Sequence, residues 1–598
     1  MRIARPLALL SLLVPAGLSA QMATNAPAAP ATPVITWPTL PLKYAAKATH
    51  PDITAEDLMS RLYIYADDSM QGREAGQLGN FKATTYIAAE AKRMGLVPAG
   101  DSGTYFQMVP YKQRVFDTTS TITVSGSTLK APADFLVLGG DAGQISAPVI
   151  YGGDLNDANR ADLDSNAVKG KIVLFTAKGG MNFRQARRAP RVKGAVAAVI
   201  AGLDDFPPQF LTFFSRPRGF LDYHPSGAPA VLPNVFITKA AATKFFTTPI
   251  DQLTVGAVGG DATIGIKYVV TPMPYAARNV IGIVPGSDPK LKGEYVAVGG
   301  HNDHIGMTNH PVDHDSMRIF LRVVRPEGAE QNGKPATGPE QAEVDSILAA
   351  YRKDHPGSAR LDSISNGADD DGTGTVSVLE IAERISSLKV KPKRSIIFVW
   401  HVGEEKGLLG SQYFTDFPTV PRDSIVAQLN IDMVGRGDAT DETGRACKIE
   451  ANSNPPHCDA AANFDETSTP LHGNPNYVQL IGSRRLSTEL GNLIEKVNTD
   501  DKHGLAFDYS EDTNGHPTNI YCRSDHYEYA RYGIPITFFT TGGHADYHQV
   551  TDESQEIDYT HMARIDNLIE DIAVHVANLD HRVVVDHPKP DPFGGCQQ

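Results

Sequence analysis

In the second half of the chain, short apolar runs stop abruptly in polar residues. Residues 294–299 lead into His301, 395–400 into Glu404, 426–431 into Asp432, and 535–540 into His544. They are short and too continuously apolar to alternate, as expected of strands buried on both faces. Helical periods lie between them. Val378, Ile381, Ala382 and Ile385 share one helical face, as do Met562, Ile565, Ile569, Ile572 and Val576. Strands alternating with helices predict an α/β domain built on a mixed, mostly parallel sheet flanked by helices. Sites in such sheets form at the carboxyl ends of strands, and that is where the polar residues fall.

The first half reads differently. Residues 57–62 and 81–94 have helical patterns, with a Gly-containing loop at 71–76 between them. From about 130 to 265, β-branched runs alternate with Gly and Pro: 147–152, 170–175, 194–200 and 232–237. These predict strands of a compact β-rich module. Residues 213–220 read as a surface loop of that module. Residues 306–362 are long, polar and charged, with one helical reading at 342–351. A long insert in a compact domain is either functional or disordered, and this one lies between two polar segments, where it could shape a pocket. The expected divisions are 51–130, the start of the α/β domain; 131–268, the β-rich insert; 269–585, the rest of the α/β domain; and 586–598, a tail.

Composition adds limits. The chain has 598 residues, 41% hydrophobic and 21% charged, an ordinary globular balance. Its net charge of −14 argues against nucleic acid or an anionic membrane as the main partner. Arg2 and Arg5 precede an apolar run ending in Ser19-Ala20, the layout of a secretory signal peptide over residues 1–20. Residues 21–50, rich in Ala, Pro and Thr near their start, read as a flexible linker. No later run reaches ~18 apolar residues, so no membrane span is expected in the mature chain. Cys447 and Cys458 flank a polar stretch and could pair in an oxidising compartment; Cys522 and Cys596 could form a second bridge or stay free.

The most telling residues are two adjacent carboxylates in Phe398-Val-Trp-His-Val-Gly-Glu-Glu-Lys-Gly-Leu-Leu-Gly-Ser411. Burying Glu404 beside Glu405 is costly unless a cation lies between them. Other segments offer matching groups. They are Gly299-Gly-His-Asn-Asp-His304, Asn366-Gly-Ala-Asp-Asp-Asp-Gly-Thr-Gly374, Asn430-Ile-Asp-Met-Val-Gly435 and Ala545-Asp-Tyr-His-Gln-Val-Thr-Asp552. Alone, an Asp triplet reads as a solvated turn, a Glu pair as surface, and a His at a strand end as structural. Two His with several carboxylates at successive strand ends suit zinc.

In that order and combination the motifs resemble peptidase family M28, the zinc aminopeptidases, over roughly residues 53–580. The β-rich module resembles the protease-associated domain often inserted in them. The resemblance implies a zinc-exopeptidase (phosphorylase/hydrolase-like) fold, two zinc ions and peptide substrates. It implies that Asp370 bridges the ions, that His301 and Asp432 complete one site, and that Glu405 and His548 complete the other. Glu404 would move the proton of an activated water. Asp303 would hold the His301 ring by its second nitrogen, and Tyr547 would donate to the developing oxyanion. His304, His401, His526 and His544 have no ligand role in the family pattern and read as pocket wall or support. Asp369 and Asp371 read as shaping their turn.

The leading expectation is therefore an exported, periplasmic or secreted aminopeptidase. A carboxypeptidase or dipeptidase would use the same ligands with a basic pocket, for which Arg484 and Arg485 are available. Glutaminyl cyclase shares the fold. A non-catalytic receptor-like relative would have lost ligands, and none is lost here. Side-chain preference and oligomeric state are not legible.

Overall fold

The structure, a computed structural model, describes residues 39–598 apart from 158–159, 162, 179–193, 207–215, 226, 229–230, 358 and 438–473. The expected signal peptide, the start of the linker and the Cys447–Cys458 pair lie outside the described residues.

A nine-stranded mixed sheet organises the α/β domain. Its strands are β1 (Val97–Pro98), β2 (Phe106–Met108), β3 (Arg278–Val284), β4 (Tyr295–His301), β5 (Ser395–His401), β6 (Ile425–Ile431), β7 (Tyr477–Ile481), β8 (Ala506–Asp508) and β9 (Ile536–Thr540). They lie in the order β1-β3-β5-β4-β6-β9-β7-β8, with β2 also pairing β3. The central strands β5, β4, β6 and β9 are mutually parallel, while β3 and β7 flank them antiparallel. Four carboxyl ends therefore share one edge.

The continuous apolar runs are explained by two cores. Along β5, Ile396, Phe398 and Trp400 enter one cluster and Ile397 and Val399 the other, as the two-residue repeat of a strand requires. The first core includes Ile381 and Ile385 of the Gly374–Ser387 helix and Ile565, Ile569 and Ile572 of the Tyr559–Asn578 helix. The second includes Phe414, Tyr527 and Tyr529. Among the described residues, no helix is long and apolar enough to cross a membrane.

The β-rich module has an eight-stranded sheet and its own core, with Phe135, Leu174, Val199, Phe236 and Ile264 fully buried. Its sheet runs from Thr121 to Ile266, so it starts before residue 131. The chain enters and leaves it through Tyr111–Phe116 and Tyr268–Pro272, which pair antiparallel as a ribbon. Arg218–Leu221 adds a third strand to this ribbon. Part of the expected 213–220 loop is therefore strand, because Arg114 and Gln113 offer it a free edge; residues 213–215 lie outside the described residues.

The 306–362 insert is ordered structure. Met307–Asp313 and Leu361–Ile364 pair antiparallel and enclose the helices His314–Val324 and Gly338–Asp354. The first helix escapes a pattern reading because arginines interrupt its apolar positions. Two of those arginines bind the segment that carries His548: Arg322 donates to both oxygens of Asp546 at 3.0 and 2.8 Å, and Arg318 pairs with Glu556. Gly328 sits at φ +52°, where a Cβ would lie 2.8 Å from the carbonyl oxygens of His544 and Tyr547. The insert is thus pressed against that segment's backbone. Part of the expected linker is also packed, since the Thr49 hydroxyl donates to Glu383 at 2.7 Å.

Cys522 and Cys596 form a disulfide across 74 residues. The tail they anchor ends on Gln598, whose side chain donates to the carbonyls of Glu511 and Thr513 and accepts from the Tyr521 N–H. Closing a loop of that length removes about 4 kcal/mol of chain entropy from the unfolded state in the entropic account. The paired Cys522→Ser, Cys596→Ser variant is expected to lose about 2–4 kcal/mol in denaturant titration. An unchanged midpoint would show that the bridge constrains nothing.

Candidate metal centre

Each central strand delivers a residue to one cluster. β4 ends on His301, and the turn after β5 carries Glu404 and Glu405. Asp432 directly follows β6, and His548 lies in the loop after β9. Asp370 comes from the turn Ala368–Thr373 that leads into the Gly374–Ser387 helix.

The ligand atoms form two groups that share Asp370. In one, His301 Nε2 lies 3.2 Å from Asp370 Oδ1 and 3.6 Å from Asp432 Oδ1. In the other, His548 Nε2 lies 2.9 Å from Asp370 Oδ2 and 3.0 Å from Glu405 Oε2. Asp370 turns one oxygen to each group. Tetrahedral bonds to zinc place ligand atoms about 3.3 Å apart, the same scale. His301 Nε2, Asp370 Oδ2, Asp432 Oδ1 and Glu405 Oε1 are buried without a hydrogen-bond partner among the described residues. Each such atom costs about 1–3 kcal/mol unless it is satisfied. A cation with mixed nitrogen and oxygen ligands satisfies all of them, and this donor set suits zinc.

The charges point the same way. Burial pushes Asp370 up, but the His301 and His548 rings reverse this and hold it well below the usual range. Burial pushes His548 down, yet Asp370 and Glu405 raise it to about 11. Burial and Asp370 push Glu405 up, but His304 and His548 bring it down to about 2. The carboxylates thus favour positive charge on the His301 and His548 rings, in the place that a dication would take, and binding one competes with protons there. Glu404 behaves differently. Burial drives its carboxyl well above the usual range against the pull of His301, and Glu405 and Asp432 add to the rise. Zinc affinity is expected to tighten between pH 6 and pH 8, by about tenfold per pH unit for each proton released. Chelator competition at several pH values measures this, and a flat profile would contradict it.

Residues 279–573 match the family model described as Peptidase family M28. The chain belongs to this family. The match contains His301, Asp370, Glu404, Glu405, Asp432 and His548. Among curated proteins, the chain is 39% identical to a leucine aminopeptidase of Uncinocarpus reesii over 190 residues, 31% of this chain and 34% of that one. It is 38% identical to a leupeptin-inactivating enzyme of Streptomyces exfoliatus over 80 residues, 13% of this chain and 18% of that one. The matches thus span about a third or less of those relatives' own lengths. Among solved structures, a zinc aminopeptidase from Bacillus subtilis aligns over 88% of this chain and 95% of its own, at 16% identity and a TM-score of 0.41.

Around these residues, backbone donors are tied down by buried acids. Asp303 takes a different part from the one expected. Its carboxylate accepts from the N–H groups of Gly403 and Glu404 at 2.7 and 3.1 Å, while His301 Nδ1 lies 3.1 Å from its backbone carbonyl and 3.8 Å from the carboxylate. The side chain therefore fixes the Glu404–Glu405 turn, and the main chain orients the ring. Asp371 accepts from His301 N and Gly374 N, and Asp369 from Gly435 N. Both shape the turn.

Two supports, Asp552 and Arg73, carry no signal of their own in the sequence. Asp552, the last residue of its motif, accepts from the N–H groups of Asp369 and Asp370. The buried Arg73 donates to the carbonyls of Asn366 and Gly367 at 2.5 and 2.7 Å. Nothing local distinguished Arg73 from a surface arginine. His304 lies closer to the centre than expected: its Nδ1 is 2.8 Å from Glu405 Oε1 and 3.7 Å from Asp370 Oδ2. It joins the His548 group as a fourth side chain. The other histidines stand outside both groups. His544 contacts Asp369 at 3.1 Å, His401 contacts Tyr529 at 2.9 Å, and His526 stacks on Phe538 with Nε2 2.8 Å from the Tyr521 carbonyl.

A cavity of about 350 Å³ opens onto the centre, lined by Asp370, Glu404, Asp432, Tyr547 and His548 among others. The Tyr547 ring stacks on His548 at 4.0 Å, and its hydroxyl accepts from Arg523 at 3.3 Å. Asp303→Asn weakens the carboxylate's hold on the turn. It is expected to lower kcat about 10–100-fold with little change in KM, while zinc is retained. An unchanged kcat would remove the positioning role.

Proposed function

We propose that the protein is an exported aminopeptidase carrying two zinc ions and releasing N-terminal residues from peptides. The M28 membership supports the reaction class, and the two groups sharing Asp370 support the ion count. The charged, then apolar, then small-residue start of the chain supports export.

The observation that favours an aminopeptidase over a carboxypeptidase is the charge of the cavity. Glu327 and Glu330 reach it from the insert, and Glu511 lines it too. Its arginine, Arg523, is already paired with Glu330 at 2.5 Å. The two arginines that could have served a terminal carboxylate are engaged elsewhere: Arg484 with Glu495 and Arg485 with Asp512. Neither lines the cavity. An acidic wall attracts the free α-ammonium of a peptide and repels a terminal carboxylate.

His301, Asp370 and Asp432 would hold one ion, and Asp370, Glu405 and His548 the other. When bound, such a pair lowers the pKa of water and polarises a carbonyl. The protein's own groups do the rest. Glu404 lines the cavity without being a ligand, and its raised affinity for a proton suits a group that takes a proton from water and passes it to the leaving amine. Asp303 holds that carboxylate's backbone in place. The Tyr547 hydroxyl, accepting from Arg523, is left with its own proton to donate to the oxygen on which charge develops.

Hydrolysis of unblocked aminoacyl anilides is expected, abolished by chelator and restored by zinc. Glu404→Gln is expected to lose about 10²–10⁴-fold in kcat while keeping two zinc ions by metal analysis. Full activity in that variant would refute the assignment of the base. Cleavage confined to N-blocked substrates with a free carboxyl end would refute the aminopeptidase reading.

A further inference from the structure

The cavity does not stop at the metal centre. It reaches Gln479 in the middle of β7 and Glu511 in the loop beyond β8. Gln479 is paired in register with Thr540, the last residue of β9, so it is level with the carboxyl ends of the central strands. β7 is separated from β6, the strand that leads to Asp432, by β9 alone. Two strand spacings make about 10 Å. The cavity therefore runs sideways from the ligands, along the carboxyl edge of the sheet, to a polar far end.

Its two parts differ chemically. Met433, Phe538 and Ile520 give it apolar walls, whereas Gln479 and Glu511 are polar. Gln479 is 1% exposed, and its amide nitrogen has no hydrogen-bond partner among the described residues. Glu511 is 7% exposed, accepts from the Thr518 hydroxyl at 2.5 Å and lies 3.1 Å from His516 Nδ1. An unpaired amide and a buried carboxylate make a poor floor for an apolar side chain, which would leave the Gln479 N–H without a partner and the Glu511 carboxylate without any further one. A long side chain with apolar methylenes and terminal N–H groups fits both parts: its stem packs on the walls and its N–H groups reach Glu511, and where the end is a primary amide its carbonyl also accepts from the unpaired Gln479 N–H.

We propose that this arm of the cavity selects peptides whose N-terminal residue has a long side chain ending in N–H donors, a cation or a primary amide, that Glu511 reads the donors, and that Gln479 reads the carbonyl of an amide end. The inference rests on the aminopeptidase reading above. Acidic side chains are excluded, because Glu511 would repel them at the far end and Glu327 and Glu330 would repel them on the insert side.

The test uses the zinc-loaded full chain and the anilides of Lys, Arg, Gln, norleucine and Glu. Norleucine matches the lysine stem without its N–H group. Wild type is expected to favour at least one of Lys, Arg and Gln over norleucine by about tenfold or more in kcat/KM, the worth of one or two hydrogen bonds, with Glu slowest. The Lys and Arg arms separate recognition of a cation from recognition of an amide in the Gln arm. Gln479→Leu should lower the Gln substrate and raise norleucine. The isosteric Gln479→Glu should favour Lys and Arg further and guards against misfolding of the first variant. Glu511→Gln should lower Lys and Arg about tenfold or more, chiefly through KM. Preference for norleucine over Lys, Arg and Gln in the wild type would overturn the assignment and leave the aminopeptidase reading standing. So would variants that change every substrate by one factor, which would mark a structural role. Failure to cleave any unblocked anilide with two zinc ions bound would overturn both.

Discussion

Buried like charge is the constraint on which the rest of this molecule depends. Asp370, Glu405, Asp432 and Glu404 gather at one edge of the sheet with His301, His304 and His548. Carboxylates held this close and this deep repel one another and have lost their water. A cation between them relieves both problems, and two groups sharing one aspartate make room for two. Glu404 and Glu405 are neighbours in sequence yet are driven in opposite directions. Contact with His304 and His548 pulls the Glu405 carboxyl down, whereas burial pushes that of Glu404 up. The proposed division between a metal holder and a proton carrier rests on that difference.

Keeping such a cluster in shape takes a scaffold that does not relax. The scaffold here is mostly backbone held by buried acids. Asp303 holds the Glu404 turn, Asp371 the end of β4, and Asp552 the turn of Asp370. Arg73 fastens the same turn from the opposite side through two carbonyls. Each contact links segments distant in sequence. The ligand geometry is therefore a property of the whole α/β domain, resting on two cores that clamp the sheet from both faces. The insert extends this logic to the substrate side: Arg318 and Arg322 tie it to the loop of His548, and its glutamates then become a wall of the cavity.

How much of this was legible depended on the kind of signal. The sheet was legible because strands buried on both faces must be continuously apolar, and β4, β5, β6 and β9 are. The ligands were legible because each ends such a run or sits in a distinctive motif. Arg73 was not, since a buried arginine looks like any other until the carbonyls it serves are known. The helix His314–Val324 was masked by arginines whose partners, Asp546 and Glu556, lie far along the chain. Asp303 was found, but its contact was misjudged. Spacing placed it beside His301, and only the fold brought the Glu404 turn within 3.1 Å of it.

The sequence by itself determined the fold class and singled out His301, Asp370, Glu404, Glu405, Asp432 and His548, because apolar runs and local motifs carry that information within a few residues. Tertiary structure alone decided that Asp370 faces both groups, that His304 joins one of them, that Cys522 meets Cys596, and that the cavity ends on Gln479 and Glu511. These depend on strand order, β9 between β6 and β7, and on loops that meet only when the sheet forms. No local pattern encodes the distance between residues that the chain separates and the fold reunites.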